Sequence, residues 1–339
     1  MRRSLVPLLI AALLSACGRD PDLETATLST VPFPLELPPG APMPPVPADN
    51  PLTLASVQLG RKLFFDPRLS RPEGTSCATC HITARAFADT TAKSVGAQGL
   101  KGMRNSPSLG NVAYHPGLFR DGGVPNLELQ VMAPLHDHLE MNSDINAVSA
   151  ALRDDPEYAR MSIKGYGEPL TPWVITRAIA NYERTLLSGW SRYDRYLQGD
   201  PGALTAQEQE GMQLFMSPAL NCSACHSGFD LSDHGFHNVG TALDYGSDPG
   251  RQRITLDPAD EGKFKVPSLR NVALTAPYMH DGGMSTLEEV VDHFATGGLP
   301  HPNRSPLMQP FALTASQREA LVAFLRSLTD ERSLDQLVP

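Results

Sequence analysis

Two short segments hold the residues best suited to do chemistry: Cys77-Ala78-Thr79-Cys80-His81 and Cys222-Ser223-Ala224-Cys225-His226. In each, two thiols stand about a turn apart and an imidazole follows at once. That spacing lets both cysteines reach the vinyl groups on one edge of a haem as thioethers. It also sets the next residue under the iron. Cys77 and Cys80 therefore read as the attachment points of one haem c, with His81 as proximal iron ligand. Cys222 and Cys225 read as those of a second, with His226. A four-cysteine zinc site is the bland alternative. It explains neither the adjacent histidines nor the wide separation of the pairs.

The elements around the two motifs repeat. Gly60-Arg61-Lys62-Leu63-Phe64-Phe65-Asp66-Pro67 precedes the first, and Gly211-Met212-Gln213-Leu214-Phe215-Met216-Ser217-Pro218 precedes the second. Further on, Ser106-Pro107-Ser108-Leu109-Gly110-Asn111-Val112-Ala113 parallels Val266-Pro267-Ser268-Leu269-Arg270-Asn271-Val272-Ala273. At the same offset, Phe119-Arg120-Asp121-Gly122-Gly123 parallels Met279-His280-Asp281-Gly282-Gly283. Matches that keep their order and spacing mark a duplication. The chain reads as two copies of one haem domain, over residues 52–202 and 203–331, with a tail at 332–339.

The fold class expected is mainly α, with long loops and few or no strands. Thr171-Pro172 can open a helix whose apolar face is Val174, Ile175, Ala178, Ile179, Tyr182 and Leu186. Thr205 to Glu208 and Ser285 to Glu288 fit the capping box. Thr314 opens a last helix with Leu321, Val322, Phe324, Leu325 and Leu328 inward. Residues 228–262, rich in glycine and proline, read as loop.

The N-terminus reads as an export signal over residues 1–17, with Arg2 and Arg3 before the apolar run Leu5 to Leu14. Leu14-Ser15-Ala16-Cys17 resembles the bacterial lipobox, so Cys17 is expected to carry lipid and anchor the protein to a membrane surface. The five cysteines are then all assigned, and none is left for a disulfide. Residues 18–51 become proline-rich and read as an extended tether. The net charge of −9 argues against a nucleic-acid partner, which needs clustered Lys and Arg.

Several blocks together resemble the bacterial di-haem cytochrome c peroxidase family, which includes MauG-type enzymes that oxidise residues of a partner protein. They are Gly60 to Pro67, Ser76 to His81, Arg104-Asn105-Ser106-Pro107, Phe119-Arg120-Asp121-Gly122 and Glu140-Met141-Asn142. The resemblance runs over roughly residues 52–330. It implies a peroxidase that reduces hydrogen peroxide to water at the N-terminal haem, in the periplasm. Electrons would come through the C-terminal haem from a small c-type cytochrome or copper protein. It also implies a Gln and a Glu over the N-terminal haem, matched here by Gln130 and Glu140. Heterolysis of the O–O bond needs a proton moved between the two oxygens, which a carboxylate can carry. An amide can orient the peroxide. At the duplication's offset Gln130 falls opposite Val290 and Glu140 opposite Pro300, so the polar pair exists in one copy only.

The family pattern also implies a calcium ion between the domains, with Asn105, Thr275 and the Pro277 carbonyl as oxygen donors. Three positions depart from the pattern. Ala97 stands where many members carry a removable histidine ligand, so the N-terminal haem is expected to be open at rest. Arg120 replaces the tryptophan often found before Asp-Gly, which puts a MauG-like sharing of oxidising equivalents in doubt. Phe294 stands where the C-terminal haem would take a Met or Tyr ligand. The remaining histidines, including His115, His136, His138 and His234, read as structural or exposed.

Overall fold

The structure, a computed structural model, describes residues 26–337. The expected signal segment and Cys17 lie outside these residues. In chain order the α-helices are α1 Leu54–Phe64, α2 Cys77–Cys80, α3 Leu127–Gln130, α4 Met132–His136, α5 Ile145–Leu152 and α6 Pro156–Tyr166, then α7 Pro172–Glu183, α8 Arg192–Leu197, α9 Ala206–Met216, α10 Gln252–Thr255, α11 Leu287–Thr296 and α12 Ala315–Ser327. Strands β1 Phe236–His237 and β2 Phe264–Lys265 form one small antiparallel pair. The mainly α fold class is as expected. Among the described residues, no helix is long and apolar enough to cross a membrane.

Helix starts follow side-chain capping. Thr171 caps α7, with Pro172 at its first position. Thr205 and Glu208 form a reciprocal box at α9, as do Thr314 and Gln317 at α12. At α11 the box is Thr286 with Glu289, one residue later than Ser285 with Glu288. The run Ser-Thr-Leu-Glu-Glu contains both registers, and it is the Glu289 carboxylate that accepts from the Ser285 and Thr286 N–H groups, at 2.6 and 3.1 Å. Each such cap contributes about 1 kcal/mol.

Each copy is built on a crossing of its first helix with a later long one. A Cβ on Gly60 would lie 1.8 Å from the Ala178 carbonyl oxygen, and one on Gly211 would lie 1.9 Å from that of Ala320. The glycines let α1 meet α7, and α9 meet α12, backbone to backbone. Tyr182 and Phe324 sit at the equivalent next turn, their Cβ atoms 3.0 and 2.9 Å from the same imaginary methyls. Asn111 and Asn271 both take left-handed backbone, at φ 61° and 60°. Their N–H groups donate to the carbonyls of Leu186 (2.8 Å) and Leu328 (3.0 Å). These contacts align residue 178 with 320, 182 with 324 and 186 with 328.

Two hydrophobic cores result. The first gathers Val57, Leu63, Phe64, Val174, Ile179 and Tyr182; the second gathers Phe215, Leu287, Val291, Leu321, Phe324 and Leu325. Residues 26–51 hold no helix, as their prolines dictate. They do not hang free, however: Phe33 joins the first core, and buried Asn50 donates to Glu128 (2.8 Å) and the Arg177 carbonyl (3.1 Å). The C-terminal segment also returns to the first copy, where Leu334 enters its core and Asp335 pairs with Arg61 at 2.8 Å.

Candidate functional site

The first C-x-x-C-H motif folds as one helical turn, α2, after the N-cap Ser76. The His81 N–H closes the turn on the Cys77 carbonyl at 2.9 Å. Its Nδ1 lies 2.8 Å from the Phe87 carbonyl, which can only accept, so Nδ1 carries the hydrogen. Ala86 and Phe87, both with left-handed φ of 51° and 60°, turn that carbonyl inward. Nε2 is left with its lone pair, the arrangement of an iron-ligating histidine held by a backbone carbonyl. Burial lowers the His81 pKa and keeps the ring neutral, as a ligand must be.

The second motif repeats this by a different local route. Cys222–Ala224 form a 3₁₀ turn after Asn221, whose φ is 60°. The His226 N–H donates to Cys222 at 3.0 Å, and its Nδ1 lies 3.0 Å from the Leu231 carbonyl. Phe64 stands 6.5 Å from His81 at 47°, and Phe215 stands 6.5 Å from His226 at 49°. None of the four motif cysteines is in a disulfide. Two thiols and one neutral imidazole with a free Nε2 fit a haem c at each motif.

A cavity of about 330 Å³ opens at the first motif, lined by His81, Gln130, Pro134, Glu140 and Glu183 among others. A smaller lobe of about 70 Å³ reaches Cys77 and Cys80 and shares His81, Gln130 and Glu140. Gln130 ends α3, and Glu140 lies in the turn after α4, its N–H bonded to the Asp137 carbonyl at 3.0 Å. Glu140 is exposed to the open cavity, while the cavity walls stand around its carboxyl. Burial pushes its carboxyl up to about 7, and the nearby Asp137 charge adds to this.

The loop carrying Ala97 clasps Glu140 from behind. The Ala97 N–H donates to the Glu140 carbonyl at 2.7 Å. A Cβ on Gly96 would fall 2.1 and 2.5 Å from the carbonyl oxygens of Leu139 and Glu140. In the second copy α11 runs on where the first copy breaks between α3 and α4. Pro134 sits at the position of Phe294, and Asn126 caps where Thr286 does. Phe294 offers no donor atom. Its neighbour His293 has Nε2 2.8 Å from the Val239 carbonyl, and His280 stacks on Phe264 at 3.9 Å.

Between the copies, half-buried Arg120 sets its guanidinium on Asn105. Nε donates to the Asn105 carbonyl at 3.0 Å and Nη2 to its Oδ1 at 2.5 Å. Burial, with the nearby Arg104 charge, lowers this guanidinium to about 10. Thr275 Oγ1 donates to the Val272 carbonyl at 3.1 Å. Asn105, Thr275 and Pro277 do line one cavity, but both Asn105 oxygens already face a cation. The calcium expected at Asn105, Thr275 and Pro277 does not fit this arrangement.

The structure thus brings Gln130 and Glu140 to the cavity of His81. Pro134 and Glu183 line the same cavity, and sequence reasoning passed over both. The duplication's offset, which sets Pro134 against Phe294, was the available signal for the first.

Residues 54–202 match the di-haem cytochrome c peroxidase family, and residues 208–329 match the cytochrome c family. The methylamine utilization protein MauG of Methylorubrum extorquens is 38% identical over 291 residues, covering 85% of this chain and 82% of that protein. The cytochrome c551 peroxidase of Pseudomonas aeruginosa is 36% identical over 293 residues, covering 84% and 81%. The crystal structure of a MauG-like protein associated with microbial copper homeostasis superposes with a TM-score of 0.85 at 37% identity, covering 90% of this chain and 98% of that one.

Proposed function

The chain belongs to the di-haem cytochrome c peroxidase/MauG family, and on that footing we propose that it reduces hydrogen peroxide to water at the haem held by Cys77, Cys80 and His81. The observation that carries this reading is the asymmetry of two otherwise matching copies. Gln130 and Glu140 share a cavity with His81, while Val290 and Pro300 stand at the matching positions of the second copy. When bound, the haem iron supplies the electrons that cleave the O–O bond. The protein supplies the rest. The Gln130 amide orients peroxide, and the Glu140 carboxylate takes the proton from one oxygen and returns it to the other. The copy at His226, with no such pair, receives electrons from a small cytochrome c or copper protein.

The test is steady-state oxidation of a reduced cytochrome c or copper protein by peroxide. Wild type turns over, and Glu140→Gln loses about 10²- to 10⁴-fold while keeping both haems. Unchanged turnover removes Glu140 from the mechanism. A second reading is a MauG-like oxidation of a partner's side chains, which the 0.85 TM-score to a MauG-like protein favours. It predicts modification of a partner protein by peroxide in the absence of any reduced donor. A non-catalytic di-haem carrier predicts no response to peroxide at all. The protein is further read as periplasmic and lipid-anchored, with Cys17→Ser releasing it from the membrane fraction.

A further inference from the structure

Helix α7 ends on a carboxyl that the reading above leaves without a task. Glu183 is buried, and its Oε2 has no hydrogen-bond partner among the described residues. It nevertheless lines both lobes of the cavity at the first motif, together with His81, Gln130 and Glu140. Its nearest cation is turned elsewhere: Arg184 donates from Nη2 to Glu128 at 2.7 Å and from Nη1 to Asn181 at 3.1 Å. The charged and titratable groups that face Glu183 are Arg184 at its own helix end, Glu128 from α3 and Cys77 from α2, with Cys80, His81, Arg104 and Glu140 on the same cavity wall. Burial raises its carboxyl to about 8; Arg184 works against this and Glu128 with it.

The duplication gives this residue meaning. The contacts that align Ala178 with Ala320 and Tyr182 with Phe324 set Glu183 against Leu325. Leu325 belongs to the second hydrophobic core. One helix position is thus apolar in the second copy and a buried carboxyl in the first. This is the asymmetry already seen for Gln130 and Glu140, on an element that neither belongs to.

We propose that Glu183 is the redox-linked proton holder of the first haem site, taking a proton from solvent when an electron enters the site and giving it up when that electron leaves. The inference rests on the reading of the first site as the reactive one. Turning one peroxide into two waters consumes two electrons and two protons. Glu140 moves a proton from one oxygen to the other and supplies none. An electron entering a site walled by protein adds a negative charge there, and neutralising the buried Glu183 carboxylate cancels it. When the electron passes to peroxide, the proton follows to the product water and the carboxylate is restored.

The test is a spectroelectrochemical titration of the first haem in the holoprotein, without peroxide, across neutral and mildly alkaline pH. In wild type the midpoint potential falls as pH rises, approaching one proton per electron. Glu183→Gln and Glu183→Leu flatten that dependence with both haems attached, and Glu183→Asp retains it. Glu140→Gln, run alongside, separates the contribution of Glu140. A wild-type pH dependence in Glu183→Gln overturns the proposal. Should the Gln and Leu variants fail to load haem, the infrared difference between oxidised and reduced protein decides: a protonated-carboxyl signal that shifts in Glu183→Asp supports the proposal, and a signal left unchanged in Glu183→Asp, or no signal, overturns it. Because peroxide is absent, the outcome is independent of whether the protein turns over as a peroxidase.

Discussion

At the scale of single residues, the central quantity is the proton affinity of Glu140. A carboxylate that must accept a proton from peroxide works only when ionised, and a group near 7 is half-ionised at neutral pH. Turnover is therefore expected to fall as pH drops below about 7, because the carboxylate is then protonated before peroxide arrives. A pH profile of kcat/KM checks this, and that limb disappears in Glu140→Gln. Gln130 and Glu140 were legible through the family pattern and the duplication together, since nothing in their immediate neighbours marks a reactive carboxylate. Glu183 was hidden in plain sight. It follows Ile175 and Ile179 at intervals of four on the face that packs inward, yet a charged residue at a helix end is read by default as solvated.

At the scale of elements, glycine carries two separate burdens. At Gly60 it permits the α1–α7 crossing that builds the first core, and Gly60→Ala forces a methyl into the Ala178 carbonyl. Overpacking of this kind costs about 1–3 kcal/mol or more, to be seen as a lower thermal midpoint of the holoprotein. At Gly96 it lets the Ala97 loop hold the backbone of Glu140. Gly96→Ala is expected to lower kcat by displacing that carboxylate while both haems stay attached, which turnover per haem measures. The helices themselves were legible from caps and periodicity. Their breaks were less so: the first copy is interrupted at Val131, where Pro134 has no N–H to bond back to Gln130, while α11 runs unbroken through the matching residues, and the two capping registers at α11 are not separated by local pattern.

At the scale of the whole molecule, two copies of one design face each other across a buried interface that joins them unequally. Asn111 of the first copy donates to Asp230 of the second at 2.9 Å, and Arg104 bridges Asp121 and Asp248 at 2.6 and 2.5 Å. Such pairs leave no periodic trace in the sequence, so the duplication was legible and the way its halves dock was not. The same holds for Arg120, whose type was noted but whose partner, Asn105, came only with the fold. Because a guanidinium already occupies both Asn105 oxygens, turnover and resting spectrum are expected to be unchanged by a calcium chelator or by added calcium. Loss of turnover on chelation, restored by calcium, would show that Arg120 yields its place. The account as a whole stands on the inequality of the two haem sites, and electron paramagnetic resonance of the oxidised holoprotein tests it most directly. It predicts a high-spin signal at rest that one equivalent of peroxide removes and a reduced cytochrome c restores, with removal slowed strongly in Glu140→Gln. Two low-spin signals that peroxide leaves untouched would contradict it.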